Sequence, residues 1–285
     1  MNPTTLRPGI IGLGIIGSRV AAALHSAHFS PAVWNRTPRP DTSGWTATPL
    51  ALAESCDVIQ IFLTDGPALL SVLAELLPAL GPDKIVIQSS TIALADTHAA
   101  AKLVTATGAT FLDAPFTGSK DASAASQLVY YVGGDPALLE TVRPLLAATS
   151  KDILHTGPIG SATVLKLVTN MVSATIVGIV SEAMGLTAAQ GIPLIQFQAA
   201  LERNGAASGT SKMKVPSIIA ADFTPHFSLK NMLKDASFAL RLASESGLQL
   251  PILTTVAEGM AAMTAHGHGD QDFSVMATNY LPAKS

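Results

Sequence analysis

The sequence predicts an α/β chain: an open parallel sheet wound with helices, followed by an all-helical region. Three observations predict it. Short β-type runs recur through the first 157 residues, with turn or helical stretches between them. Strand signals stop after Gly157, and long helical patterns take over. A glycine-rich turn links the first apolar run to the first helical stretch. Strands that alternate with helices need crossover connections, and crossovers make a parallel sheet.

The candidate strands are 10–12, 32–34, 58–63, 84–88, 110–113, 128–132 and 153–154. The 127–134 run is placed at the sheet edge, running antiparallel. The candidate helices of the second region are 161–190, 193–207, 229–246 and 251–266. Ser161 is a candidate N-cap for the first of these. Behind it Val164, Leu167, Val168, Met171 and Val172 fall on one helical face. Gly191-Ile192-Pro193 reads as a helix break. The boundary is expected near Gly157–Gly160, giving a sheet domain at 1–157 and a helical domain at 158–285. Neither an internal repeat nor a low-complexity tract is visible.

Composition narrows the class. Hydrophobic residues make up 48%, within the globular range, but charged residues only 13%, about half the usual share of roughly 25%. So few charges suit a chain that hides surface against a partner subunit, and a homo-oligomer is expected. The net charge of −3 comes without a basic block, which argues against nucleic acid or an anionic membrane as a main partner. Cys56 is the single cysteine, so there is neither an internal disulfide framework nor a cysteine metal cage. A reducing, cytoplasmic compartment is the expectation. Residues 1–8 lack the basic and apolar regions of a targeting signal. Between Lys166 and Glu182 lie 15 residues, including Asn170, Ser173 and Thr175; a membrane span needs about 20 mostly apolar ones. That stretch is expected to be a buried helix.

Residues 12–17 read Gly12-Leu13-Gly14-Ile15-Ile16-Gly17. The G-x-G-x-x-G pattern is weak alone, but here it follows an apolar strand and opens an apolar helix. Gly12 would allow the tight turn, Gly14 would let a pyrophosphate approach the backbone, and Gly17 would let helix and strand pack closely. Free N–H groups at the helix start favour phosphate. In an NAD site an acid about 20 residues on would hold the ribose 2′-hydroxyl. No acid lies between Gly17 and Asp41; the second strand ends instead at Trp34-Asn35-Arg36-Thr37. A guanidinium attracts a 2′-phosphate that a carboxylate would repel. Arg36, helped by Asn35 and Thr37, therefore predicts NADP. Leu63, Thr64 and Pro67 after one strand and Thr91 after another are candidates to line the nicotinamide half of the crevice.

Two more stretches bear on chemistry. Asp113-Ala-Pro-Phe-Thr117-Gly118-Ser119 is either a plain turn or a small-carboxylate binder, offering hydroxyls and N–H groups without bulk. Lys166 and Asn170 sit at i, i+4 on one face of an apolar helix. Lys166 is either a snorkelling surface lysine or a proton donor, since burial brings an amine toward the working pH range.

With these motifs, and Phe227-Ser-Leu-Lys-Asn-Met-Leu-Lys234-Asp235 near the end, the chain resembles the β-hydroxyacid dehydrogenase family over nearly its whole length. That family includes 3-hydroxyisobutyrate dehydrogenases, tartronate semialdehyde reductases and glyoxylate/succinic semialdehyde reductases, and is similar to 6-phosphogluconate dehydrogenase. The resemblance implies a doubly wound Rossmann domain joined by a long helix to an all-α domain. It implies Lys166 as catalytic acid/base, Asn170 as a substrate contact, and Thr117, Gly118 and Ser119 as the carboxylate loop. Thr91 and Lys234 are implied as cofactor contacts, and a homodimer or homotetramer as the assembly. The family loop commonly reads Ser-Gly-Gly, so Thr117-Gly118-Ser119 departs from it. That form, with Asn35-Arg36-Thr37, is closer to the glyoxylate/succinic semialdehyde reductase branch.

Two rivals are an imine reductase of the same fold, which typically carries Asp or Tyr in place of the lysine, and a non-catalytic NADP-binding module. Lys166 speaks against both. His266-Gly-His268-Gly-Asp270-Gln-Asp272 resembles a metal cluster but lacks ligand spacing, so it reads as a solvated loop and no metal is expected. His25 and His28 suit the C-terminus of the first helix, and the methionines read as core filler.

Overall fold

Apolar runs of three or four residues become the strands of a parallel sheet in a computed structural model that describes residues 6–282. Part of the N-terminal stretch read for a targeting signal, residues 1–5, lies outside them. Contacts divide the chain into two compact units, Met1–Lys166 and Leu167–Ser285.

In the first unit β1 (Pro8–Ile11), β2 (Ala32–Trp34), β3 (Val58–Ile61), β4 (Ile85–Gln88) and β5 (Thr110–Asp113) are parallel. After them come β6 (Phe116–Thr117), β7 (Leu128–Gly133) and β8 (Ser150–Gly157). The order is β2-β1-β3-β4-β5-β7-β6, with β8 beside β7. β7 runs antiparallel to β5, as the 127–134 run was expected to do, but β8 covers its other side. The period-2 alternation sorts the core. Ile10, Val58, Ile85, Ile87 and Leu112 pack on α1 (Ile15–Ser26) and on α6 (Pro136–Ala147), while Ile11, Ile59, Ile61, Val86 and Phe111 pack on the other face. There they meet α2 (Pro49–Ser55), α3 (Gly66–Leu76) and α4 (Leu94–Thr105). Helices on both faces explain why these strands are mostly apolar. Thr48, Asp65 and Asp135 cap α2, α3 and α6 through their side chains, and Ser119 caps the short α5 (Lys120–Ala124).

The second unit is helical. It holds most of α7 (Ser161–Ala189), then α8 (Leu194–Glu202), α9 (Gly209–Ala220), α10 (Leu229–Glu245) and α11 (Pro251–Met263). Leu167, Ala174 and Val177 of α7 join Met232, Ala236, Met260 and Phe273 in one core cluster. Val180, Met184, Val215 and Ile218 form a smaller one.

Several expectations are corrected. β6 forms within the stretch expected as loop, directly after the strand-breaking Pro115. α9 was missed because Pro216 interrupts its pattern. The 193–207 helix stops at Glu202, before Asn204-Gly205. Gly12 lies outside β1, with φ +93°, and β8 is eight residues rather than two. Ser161 does not cap α7: the Val164 N–H bonds to Gly160, which is the N-cap, and the Ser161 hydroxyl pairs with Thr156. α7 is not wholly buried, because Leu165, Val172, Ile179 and Leu186 are exposed. By length and composition alone it could cross a membrane, but a third of its most apolar window is buried inside the protein.

Candidate active site

β1 and β3 leave the sheet as neighbours, while β2 lies on the other side of β1. This is a topological switch point, where open α/β sheets bind ligands at the strand C-termini. The glycine loop follows β1. Gly12 takes φ +93°, and a Cβ there would lie 2.0 Å from the Phe62 carbonyl oxygen. A Cβ on Gly17 would lie 1.9 Å from the Gly12 carbonyl oxygen. Gly14 has open space around it and N-caps α1 without a side-chain cap or an acid in the first turn. An uncapped helix start next to an open glycine fits a phosphate group.

Asn35 does a job the sequence did not reveal. Its Oδ1 accepts the Leu13 N–H at 2.9 Å and its Nδ2 donates to the Thr37 carbonyl at 2.9 Å. It ties the glycine loop to the end of β2, leaving Arg36 and Thr37 exposed. Beyond β3, the Leu63 N–H bonds to Ser90 Oγ at 2.8 Å, and Asp65 caps α3 through the Ala68 N–H. The 63–67 loop, with Thr64 and Pro67 exposed, is thus pinned to Ser90, between the end of β4 and Thr91. All the predicted dinucleotide residues of the first unit follow the C-terminal ends of parallel strands. A separate cavity of about 610 Å³ runs beside α1 and β2 from Arg7 to Arg39. It touches the glycine loop at Leu13 but reaches none of Arg36, Thr64 or Thr91.

Thr117, Gly118 and Ser119 form the end of β6 and the start of α5. Position 118 calls for glycine on two counts, its φ of +138° and a would-be Cβ only 2.9 Å from Leu128 Cδ2. Ser119 Oγ accepts the Ala122 N–H, which leaves its proton free to donate. Asp113 is wholly buried at the end of β5. Its oxygens accept the Gly160 N–H at 3.2 Å, the Thr163 N–H at 2.8 Å and the Thr163 hydroxyl at 2.8 Å. Burial pushes its carboxyl up to about 6, against these hydrogen bonds and the nearby His98, so at neutral pH the group is charged.

Lys166 lies at the end of the first unit, only 9% exposed. Asn170 and Lys234 belong to the second. Asn170 Nδ2 donates to Asp235 Oδ2 at 2.7 Å, and the Lys234 amine is 3.2 Å from Asp235 Oδ1 and 5.3 Å from the Phe238 ring centre. Asp235, fully buried, therefore fixes two predicted site residues at once. Among the described residues no group of three or more His, Cys, Asp or Glu side chains could hold a metal. His266 Nδ1 pairs with the Ala262 carbonyl and His268 Nδ1 with Gln271. The solvated-loop reading fails for Asp272, which is buried against Lys214.

Comparison with known proteins agrees with this layout. The NAD binding domain of 6-phosphogluconate dehydrogenase matches residues 7–157, more than half of the chain, and the NAD-binding of NADP-dependent 3-hydroxyisobutyrate dehydrogenase matches residues 160–280. The chain belongs to the β-hydroxyacid dehydrogenase family. It is an oxidoreductase of that family with a nicotinamide dinucleotide as cofactor. Glyoxylate/succinic semialdehyde reductase 2, chloroplastic, of Arabidopsis thaliana is 28% identical over 99% of this chain and 81% of its own length. A Mycobacterium tuberculosis 3-hydroxyisobutyrate dehydrogenase, solved with L-serine, is 27% identical with a TM-score of 0.89. That match covers 96% of this chain and 98% of the other. An imine reductase from Myxococcus stipitatus, solved with NADP+, shares the fold at 20% identity and a TM-score of 0.64, over 97% of this chain and 100% of its own.

Proposed function

We propose that the protein is an NADPH-dependent reductase of a small aldehyde or keto acid, of the glyoxylate or succinic semialdehyde type. In reverse it would oxidise the matching β-hydroxy acid, such as 3-hydroxyisobutyrate. The observation that carries this reading is Lys166, a lysine only 9% exposed on an apolar helix. Buried lysines are rare, and this one stands one helical turn before Asn170. The Arabidopsis and Mycobacterium relatives, by their names, act on substrates of this class.

The glycine loop and the bare start of α1 would hold the pyrophosphate, and Arg36 with Thr37 the 2′-phosphate. When bound, the nicotinamide supplies the hydride that reaches the carbonyl carbon. Thr117 and Ser119 hydroxyls donate to the substrate carboxylate. Lys166 gives its proton to the carbonyl oxygen as that oxygen gains charge, and the alcohol leaves neutral; in the reverse direction the neutral amine takes the proton back. Asn170, oriented by Asp235, holds the substrate near that amine. Following NADPH consumption with glyoxylate, succinic semialdehyde and a cyclic imine, with a Lys166 variant as control, tests the reading. Turnover of the imine alone would replace it with imine reduction.

Cofactor choice is tested separately. Losing a charge-assisted contact worth about 1.5–3 kcal/mol should raise the KM for NADPH in Arg36→Ala by roughly 10- to 150-fold, with little change for NADH. A wild-type preference for NADH would remove the claim.

The assembly belongs to the same proposal. Leu165, Val172, Ile179 and Leu186 repeat every seventh residue along the outer side of α7, the repeat of a helix-packing seam. Sedimentation without detergent should give at least a dimer, and Ile179→Lys should weaken it. A wild-type monomer at micromolar concentration would count against a subunit interface on this face.

A further inference from the structure

We propose that Asp113 is the positioning residue of Lys166: it acts through Thr163 on the first turn of α7, and not on the substrate. The proposal rests on the reading of Lys166 as acid/base.

α7 begins without the usual local devices. Its first turn holds no acid, and the Ser161 hydroxyl is taken by Thr156 at 2.7 Å. A helix start leaves N–H groups that need acceptors. Here a carboxylate from another element supplies them. Asp113 Oδ2 accepts the N–H groups of Gly160 and Thr163, and Oδ1 accepts the Thr163 hydroxyl. Thr163 has one hydroxyl proton and it points to Asp113. Its oxygen then accepts from Thr97 of α4, 2.9 Å away. Thr97 and Asp113 are fully buried, and Thr163 is almost so. Gly160 completes the joint: at φ +94°, a Cβ would lie 2.6 Å from His98 Nε2 and 2.8 Å from Leu94 Cδ1. Only glycine lets the helix start reach both the carboxylate and α4.

The consequence falls on Lys166, three residues beyond Thr163. That is just under one helical turn, about 4.5 Å along the axis, so the anchor fixes the rotation and depth of the turn that carries the amine. Proton transfer needs the donor within about 0.5 Å of its working place, and a misplacement near 1 Å can cost 10²-fold. A loose first turn would thus reduce turnover without touching the groups that bind the dinucleotide.

The test uses the full chain in four variants. Thr163→Val removes the hydroxyl at constant shape, Thr163→Ser keeps it, Asp113→Asn turns an acceptor into a donor, and Lys166→Met is the reference. Expected are a 10- to 100-fold lower kcat in Thr163→Val, NADPH affinity by fluorescence titration within threefold of wild type, and recovery to within threefold of wild-type kcat in Thr163→Ser. Hydrogen exchange of the 160–166 amides should quicken in Thr163→Val and not in Thr163→Ser. Asp113→Asn should follow Thr163→Val; if it does not fold, the threonine pair still decides. Full kcat in Thr163→Val beside a dead Lys166→Met overturns the proposal and leaves the acid/base reading standing. An active Lys166→Met overturns the acid/base reading, and the proposal with it.

Discussion

Replacing Lys166 with Met should lower kcat by about 10²- to 10⁴-fold, the usual share of a positioned proton donor. NADPH should still bind within threefold of wild type. Met is close to lysine in length and suits a site only 9% exposed, so packing on α7 should survive. Lys166→Ala should lose as much turnover as Met or more. Lys166→Arg separates two explanations. It keeps the positive charge but cannot give up its proton in the working range. If charge alone stabilised the forming alkoxide, Arg would restore most of the rate. If a proton moves, Arg stays near the Met value in both directions. Steady-state rates for reduction and oxidation, with the dinucleotide dissociation constant measured independently, make the comparison. Turnover near wild type in Ala, Met and Arg alike would remove Lys166 from the chemistry.

The sheet was legible because burial on both faces writes its strands as mostly apolar runs, and because two glycines of the loop cannot be anything else. Gly12 and Gly17 each face a carbonyl oxygen at about 2 Å from any added Cβ, so their spacing in sequence is the imprint of a steric fact. Gly160 is marked differently, by a φ of +94° and by the His98 ring 2.6 Å from an added Cβ. What the sequence hid was pairing at a distance. Asp113 and Thr163 are 50 residues apart, Asn170 and Asp235 are 65 apart, and Lys214 and Asp272 are 58 apart. A lone acid at a strand end does not announce that it caps a helix elsewhere. One indirect signal existed: a 29-residue helix with no acid in its first turn requires acceptors from outside. Asn35 has a second role, hidden for a related reason. A short amide beside an arginine suggests ligand contact, and the sequence does not show that both its polar ends also bond to the chain's own backbone. Local rules found α10 and missed α9, whose Pro216 and polar first half hide a helix that the Ser208–Ser211 capping box starts.

Lys214→Met should destabilise the helical unit by about 3–5 kcal/mol, the cost of leaving one member of a buried ion pair without the other. Lys214 and Asp272 are 4% and 2% exposed. The amine donates to both carboxylate oxygens, at 2.7 and 2.8 Å, and lies 4.7 Å from the centre of the Phe273 ring. Asp272 also accepts the N–H groups of His226, Phe227 and Ser274 and the Ser274 hydroxyl. It therefore joins α9, the segment before α10 and the C-terminal residues at one point. Burial pushes its carboxyl up, but Lys214 and then Ser274 outweigh this and hold it below the usual carboxylate range. A depressed pKa gives stability that is present above the unfolded-state value and lost as pH falls through the folded one. The pair's contribution should thus be constant at neutral pH and fade only in acid below about 4. Chemical denaturation followed by helical signal measures both effects. An isolated ion pair can often be replaced by apolar side chains with little loss. Here the double variant Lys214→Met/Asp272→Leu should not recover, because three backbone N–H groups would keep no acceptor. A Lys214→Met loss below about 1 kcal/mol, within the range of an exposed pair, would mean that water reaches the amine and that the C-terminal residues are held by Phe273 and its apolar neighbours alone.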